Sequence, residues 1–383
     1  MIYFDYNATA PVMREAREAW LAVTEKIGGN PSSMHQSGTR ASIALAGARE
    51  QLAAFLGCHP QDIIWTSGAT EANNMVTHHF ARTLDDKREI WISAIEHPCV
   101  HDSAKHYFGR RAKLIPVTRD GVVDVDWITT EMADTRPGLM GVMAANNETG
   151  VIQPWREIHA ICQAYGIPFF TDAVQWLGKM PAKNLGDCDF VSGAAHKFGG
   201  PRGVGFLKIP HGKSITPLLH GGKQERGFRA GTENVATVAA MMAALEVREK
   251  QIGRGEHLLR GVWRDNFERE LLRVLPGASI IGANAPRLWN TVSALMPDAD
   301  RKHQWVGRLD RAGFAVNSGS ACTSDKAEPS HVLAALGMEA AQAMRAVRYS
   351  GGWETTEADW DALAKGVAKV HAEMHHEKAR ALA

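Results

Sequence analysis

Residues 191–205 read VSGAAHKFGGPRGVG. An apolar, strand-forming run from Asp189 to Ala194 stops at His196-Lys197, and glycines at 199, 200 and 203 follow with Pro201 among them. A strand that gives way abruptly to a Gly-rich turn fixes its last side chains in partly desolvated positions. For Lys197 that setting disfavours the charged ammonium, and a neutral amine is the form that attacks a carbonyl. The same lysine also reads as a solvated loop residue. What the other strand ends supply decides between the two.

From about residue 60 to 210 strand-like and helix-like segments alternate, which predicts an α/β fold with a mostly parallel sheet and helices on both faces. The segment IIWTSGATEANN (63–74) leaves its strand at Ser67-Gly68 and turns helical after Thr70. The amides of Gly68, Ala69 and Thr70, with the Thr70 hydroxyl, then form a helix N-terminus suited to a phosphate. The same residues also read as an ordinary helix cap. EIWISAIEHP (89–98) ends in His97, GLMGVMAANNETG (138–150) in Asn147, and IPFFTDAVQ (167–175) in Asp172 and Gln175. Polar side chains thus converge at the strand ends, the edge at which open α/β sheets bind ligands. Asp172 on one strand end and Lys197 on another are the pair that a pyridoxal phosphate site requires.

The remainder of the chain bounds this reading. Its 383 residues predict a large domain over 1–252, with residues 1–15 packing against a smaller α/β domain over 253–383. A net charge of +1 gives no basic surface for nucleic acid. Val235–Leu245, the longest apolar stretch, is too short for a bilayer and reads as a buried helix. The N-terminal MIYFDYNATAP lacks the features of an export signal, so a cytoplasmic protein is expected. Cysteines 58, 99, 162, 188 and 322 show no paired spacing, which predicts reduced thiols and no metal site. Four of them lie in or beside apolar elements and read as small buried hydrophobes. Cys322, in SGSACTS (318–324), has no bulky neighbour and is expected on an accessible loop. In the basic loop 218–236, Gly231-Thr232 is expected to open a helix and offer a second phosphate contact. Arg348, in AVRYSGG (346–352), reads either as a fork for a carboxylate or as an ion-pair partner.

Taken in order, DYNATAPV (5–12), GNPSS (29–33), TSGATEANN (66–74), EHPCV (96–100), NNETGVIQP (146–154), TDAVQ (171–175), HKFGGPRGVG (196–205), RAGTENVA (229–236), SGSACTS (318–324) and RYSGG (348–352) resemble the cysteine desulfurases of the NifS/IscS type. These are fold-type I pyridoxal phosphate enzymes of the class V aminotransferase group, and the resemblance spans nearly the whole chain. It implies that Lys197 carries the cofactor as a Schiff base and His97 stacks on its ring. Asp172 would pair with the ring nitrogen, Gln175 would hydrogen-bond the phenolic oxygen, and Asn147 would sit beside it near the substrate. Ala69, Thr70 and His196 would cradle the phosphate, with Thr232 reaching the phosphate of a neighbouring subunit in a homodimer. Arg348 would hold the carboxylate of L-cysteine, and Cys322 would take its sulfur as a persulfide for an acceptor protein of iron–sulfur assembly or tRNA thiolation. The same fold also hosts selenocysteine lyases and transaminases; a non-catalytic acceptor-binding scaffold predicts erosion of Lys197, Asp172 or His97, all of which are present. Two positions depart from the pattern: Ala194 stands where relatives commonly place a phosphate-binding serine, and Lys223 where they often place a glycine.

Overall fold

The computed structural model describes residues 1–297, 304–319 and 330–382. Among these, the strands are β1 (Ile2–Tyr3), β2 (Ile63–Thr66), β3 (Ile90–Ser93), β4 (Ala112–Ile115), β5 (Leu139–Gly141), β6 (Phe169–Asp172), β7 (Phe190–Ala194), β8 (Gly205–Lys208), β9 (Ser279–Ile280), β10 (Thr291–Leu295), β11 (Phe314–Ala315) and β12 (Ala346–Ser350). Seven form a central sheet in the order β2-β8-β7-β6-β5-β3-β4. Pairing is parallel from β7 across to β4, whereas β8 runs antiparallel to both β7 and β2. Every strand of this sheet except β8 therefore points its C-terminal end the same way. The expected α/β layering is what the chain adopts.

The near-continuous apolar strands explain why. Successive side chains face opposite sides of a sheet, and here both sides are covered. Trp65, Met140, Phe169 and Val191 turn to one side and pack with Leu45 and Leu52 of α2 (Gln36–Leu56), which follows α1 (Arg14–Lys26), and with Met241 of a later helix. Ile64, Ile90, Phe170 and Phe190 turn to the other and meet Val76 of α3 (Ala69–Thr83) and Val100 of α4 (Pro98–Phe108). Each fully buried side chain of this size contributes about 1.5–3 kcal/mol. Gly57 closes α2 in the left-handed conformation (φ 79°), as its position after Leu56 predicts.

The second core gathers Phe267, Leu271, Val292, Tyr349, Trp360 and Leu363. Its sheet is antiparallel, β12-β10-β9. Phe4 enters this core against Trp360, with ring centroids 4.7 Å apart, and β1 pairs in parallel with β11. The chain start thus bridges to the C-terminal region before Asn7, Ala8 and Thr9 turn towards the central sheet. Among the described residues, no helix is long and apolar enough to cross a membrane.

The expected helix at Thr232 begins three residues later. The helix that supplies Met241 spans Val235–Gly253, and Asn234 caps it by accepting from the Thr237 amide (3.2 Å). The asparagine supplies the capping oxygen, and Thr232 stays exposed in the preceding loop.

Candidate active site

The common C-terminal edge of the sheet opens into a cavity of about 460 Å³. Ala69, Thr70, His97, Asn147, Asp172, Gln175, Ala194, His196 and Lys197 all line it. Residues predicted from separate strand ends are therefore brought to one place.

The lysine terminates β7 through a short turn, Ala195–Lys197. Its Nζ donates to the carbonyls of Asn7 (2.7 Å) and Ala8 (2.8 Å). Asp172, at the end of β6, is buried; Oδ1 accepts from the Val174 amide (2.9 Å) and Oδ2 from Asn73 Nδ2 (2.8 Å). Across from it, His97 is the N-cap of α4, with Pro98 in the first turn. Its Nδ1 accepts from the Cys99 amide (3.2 Å), and the Cys99 sulfur lies 2.9 Å from the same nitrogen. Because the amide can only donate, Nδ1 is unprotonated and the neutral ring carries its proton on Nε2. Burial lowers the His97 pKa, opposing the Asp172 charge, which raises it. Burial, followed by the charges of Lys197 and Arg202, takes His196 down to about 4. Both rings therefore sit on the neutral side at pH 7.

The phosphate end is built from backbone. Gly68 is the N-cap of α3, and no side chain caps it. A Cβ on Gly205 would stand 2.4 Å from the Gly193 carbonyl and 2.8 Å from Gly68 Cα, so only glycine allows this close approach. Glu71 is clamped by Arg229 (Nε–Oε1 2.8 Å) and accepts from the Ser67 amide (2.7 Å). That pair ties the Gly-rich basic loop to the cradle.

Thr232 does not line the cavity. Arg348 is buried and also lies outside the lining. One arm of its fork pairs with Asp5 (Nη2–Oδ1 2.6 Å), and the other donates to the carbonyls of Asn147 (3.0 Å) and Gly319 (3.3 Å). Cys322 lies outside the described residues.

Cys99 corrects the reading of a small buried hydrophobe: its thiol lines the cavity, bonded to Asn73 Nδ2 (3.1 Å) as well as His97. Burial and then the Asp172 charge push it up to about 12, so it remains a thiol. Sequence spacing places it just after His97 and Pro98 and cannot show that it folds back on the N-cap of α4. Arg202 also lines the cavity, beside His196. Lys179 is the third residue missed. It is fully enclosed behind the cavity, with Nζ on Asn7 Oδ1 (2.8 Å) and Gln175 Oε1 (2.5 Å), and burial lowers its pKa far below the ordinary range. Gln175 Nε2 meanwhile donates to the Asn7 carbonyl (3.0 Å), so Lys179 fixes which end of the amide faces where.

Ala194 packs with Ala69 and Val174, making an apolar wall where the resembled pattern has a hydroxyl. Ala194→Ser is expected to tighten cofactor binding by about ten- to a hundredfold, the worth of one charge-assisted hydrogen bond. Titration of the apo-protein with pyridoxal phosphate measures it, and unchanged affinity would show that the missing hydroxyl has no consequence.

The family model for Aminotransferase class-V matches residues 2–363. The cysteine desulfurase IscS of Dictyoglomus turgidum is 38% identical over 94% of this chain and 91% of its own. A NifS-like protein from Rickettsia africae superposes with a TM-score of 0.87 at 31% identity, covering 97% of this chain and 99% of that one. SspA, solved in complex with cysteine, gives a TM-score of 0.78 at 28% identity, over 91% and 98%. The protein belongs to the class V aminotransferase family of pyridoxal phosphate enzymes.

Proposed function

We propose that this enzyme is a cysteine desulfurase that converts L-cysteine to L-alanine, with its sulfur passing to Cys322. One observation supports this most: Lys197, Asp172 and His97 share a single cavity beneath the uncapped N-terminus of α3. The residues fit pyridoxal phosphate. The backbone amides at 68–70 suit its phosphate, and the Asp172 carboxylate its ring nitrogen. Asn147 Oδ1, buried with no partner among the described residues, is available to a ligand. When bound, the cofactor supplies an aldehyde for a Schiff base and a ring that withdraws electrons from the substrate's α-carbon.

The chain's own groups do the remainder. Lys197 would tether the cofactor, and its amine, when free, is the base placed to take the substrate's α-proton. His97, neutral with its proton on Nε2, covers the ring and serves proton movement. Gln175, oriented by Lys179, presents a fixed amide towards the phenolic oxygen, with Asn147 beside it. Ala69, Thr70 and His196 hold the phosphate. Thr232 reaches the phosphate site of a second subunit in a homodimer, which accounts for its position outside this cavity. Arg348 binds the substrate carboxylate through exchange with Asp5. The Cys322 thiolate attacks the substrate sulfur; the S–Cβ bond breaks, its electrons pass to the substrate carbon skeleton, and a persulfide remains. The separate core of Phe267, Leu271, Val292, Tyr349, Trp360 and Leu363 supports a division at residue 252, and a cytoplasmic location and a sulfur-acceptor partner complete the proposal.

The test is mass spectrometry of the Cys322 peptide after one turnover with L-cysteine. A gain of one sulfur is expected, and Cys322→Ser is expected to lose both the persulfide and catalytic release of alanine. Undiminished turnover by that variant would overturn the reading.

A further inference from the structure

At the opposite end of β2 from the cavity, a short turn (Pro60–Asp62) leads into the strand, and the loop after β8 crosses it. The backbone fixes this crossing, since the Ile209 amide donates to the Asp62 carbonyl (2.8 Å). Three side chains meet there. His211 Nδ1 lies 2.8 Å from Asp62 Oδ1, although the residues are 149 positions apart. Asp62 Oδ2 accepts from the His59 amide (3.1 Å), and the imidazoles of His59 and His211 stand 4.6 Å apart between centroids. One nitrogen from each ring and one carboxylate oxygen all lie within 4.8 Å of one another.

We propose that His59, Asp62 and His211 form a binding site for a divalent cation of the zinc class, with water completing the coordination. Two imidazoles and a carboxylate are a donor set that suits such an ion. The parts are positioned before any ion arrives. Asp62 is only 4% exposed and anchored by the backbone at both ends of its turn, whereas both rings face solvent and leave an entry path. Among the described residues the one ion-pair partner of Asp62 is His211, and the Lys208 and Arg226 charges that it also feels stand beyond ion-pair distance. On binding, the ion takes the place of the proton between His211 Nδ1 and Asp62 Oδ1, and the neutral ring then carries its proton on Nε2. The bound ion would pin edge strand β2 to the loop beyond β8. Cysteine spacing gave no sign of such a site because none of its ligands is a thiol.

The cofactor-loaded enzyme tests this with Zn²⁺, by equilibrium dialysis of the unaltered protein, His59→Ala and His211→Ala. Both positions are exposed and outside the catalytic cavity, so folding and cysteine turnover are expected to be retained. The unaltered protein should hold one more equivalent of zinc than either variant, and the affinity of that equivalent should fall by at least about tenfold on removal of either ring. Zinc should also raise the melting temperature of the unaltered protein more than that of either variant. Equal zinc content and equal thermal shifts in all three would assign the bound metal to thiols or adventitious contacts and overturn the proposal.

Discussion

Lys197→Ala is expected to reduce cysteine turnover by at least about 10⁴-fold, the upper end of what one proton-transfer group contributes, because the covalent tether is lost with it. The structure gives the reason that nothing compensates. Among the described residues lining the cavity, Lys197 is the one amine. Its neighbour Lys179 is fully enclosed, with its Nζ held by Asn7 Oδ1 and Gln175 Oε1, and cannot reach a ligand without breaking that network. The carbonyls of Asn7 and Ala8, which now accept from Lys197 Nζ, also define where the amine returns when it leaves the cofactor. Borohydride reduction of the loaded enzyme should fix the cofactor to the peptide containing residue 197, and the variant should show no labelled lysine. Labelling elsewhere in the variant, or turnover within about a hundredfold of the unaltered enzyme, would sink the assignment.

Most of this geometry was legible in the sequence because it follows from one physical regularity. An apolar run that must be buried on both faces forms a parallel strand, and the first polar residues after it fall at the ligand-binding edge. That signal picks out Thr70, His97, Asn147, Asp172 and Lys197, all of which line the cavity. The residues that escaped it act at right angles to the chain. Cys99 matters because a helix cap folds it back on His97, and Lys179 because a turn after β6 carries it underneath Gln175. Asn7 and Ala8 reach the site from the far end of the sequence, through the pairing of β1 with β11. Neither periodicity nor spacing encodes such contacts. Arg348 shows the same limit from the other side: the sequence offers a carboxylate fork or an ion pair, and only the structure shows that Asp5 is the group a substrate carboxylate would have to exchange with.

Asp172→Asn is expected to lower kcat by roughly 10²- to 10⁴-fold while the fold and cofactor occupancy persist. The substitution keeps the shape of the side chain. Its oxygen can still accept from the Val174 amide, and its new NH₂ group would face Asn73. Asn73 can accommodate that by turning its amide, since its Oδ1 is buried with no partner among the described residues. What is lost is charge. Glu96, the second carboxylate nearby, is wholly buried, and burial followed by the Asp172 charge raises its pKa well above the ordinary carboxylate range. Glu96 does not line the cavity, and its Oε1 accepts from the Met143 amide (2.6 Å), so it is not placed to take over as the anion. Without Asp172 nothing in this wall holds a proton on the ring nitrogen of the cofactor, and a buried ionic partnership of this kind is worth about 3–5 kcal/mol when one side is removed. The Asp172 charge also raises the Cys99 and His97 pKa values, so its removal should lower both. Turnover at saturating cofactor, read together with the absorbance of the loaded enzyme, separates the two possible roles. A loss that excess cofactor fully restores would reduce Asp172 to a binding contact, and a loss below about tenfold would remove it from the chemistry altogether.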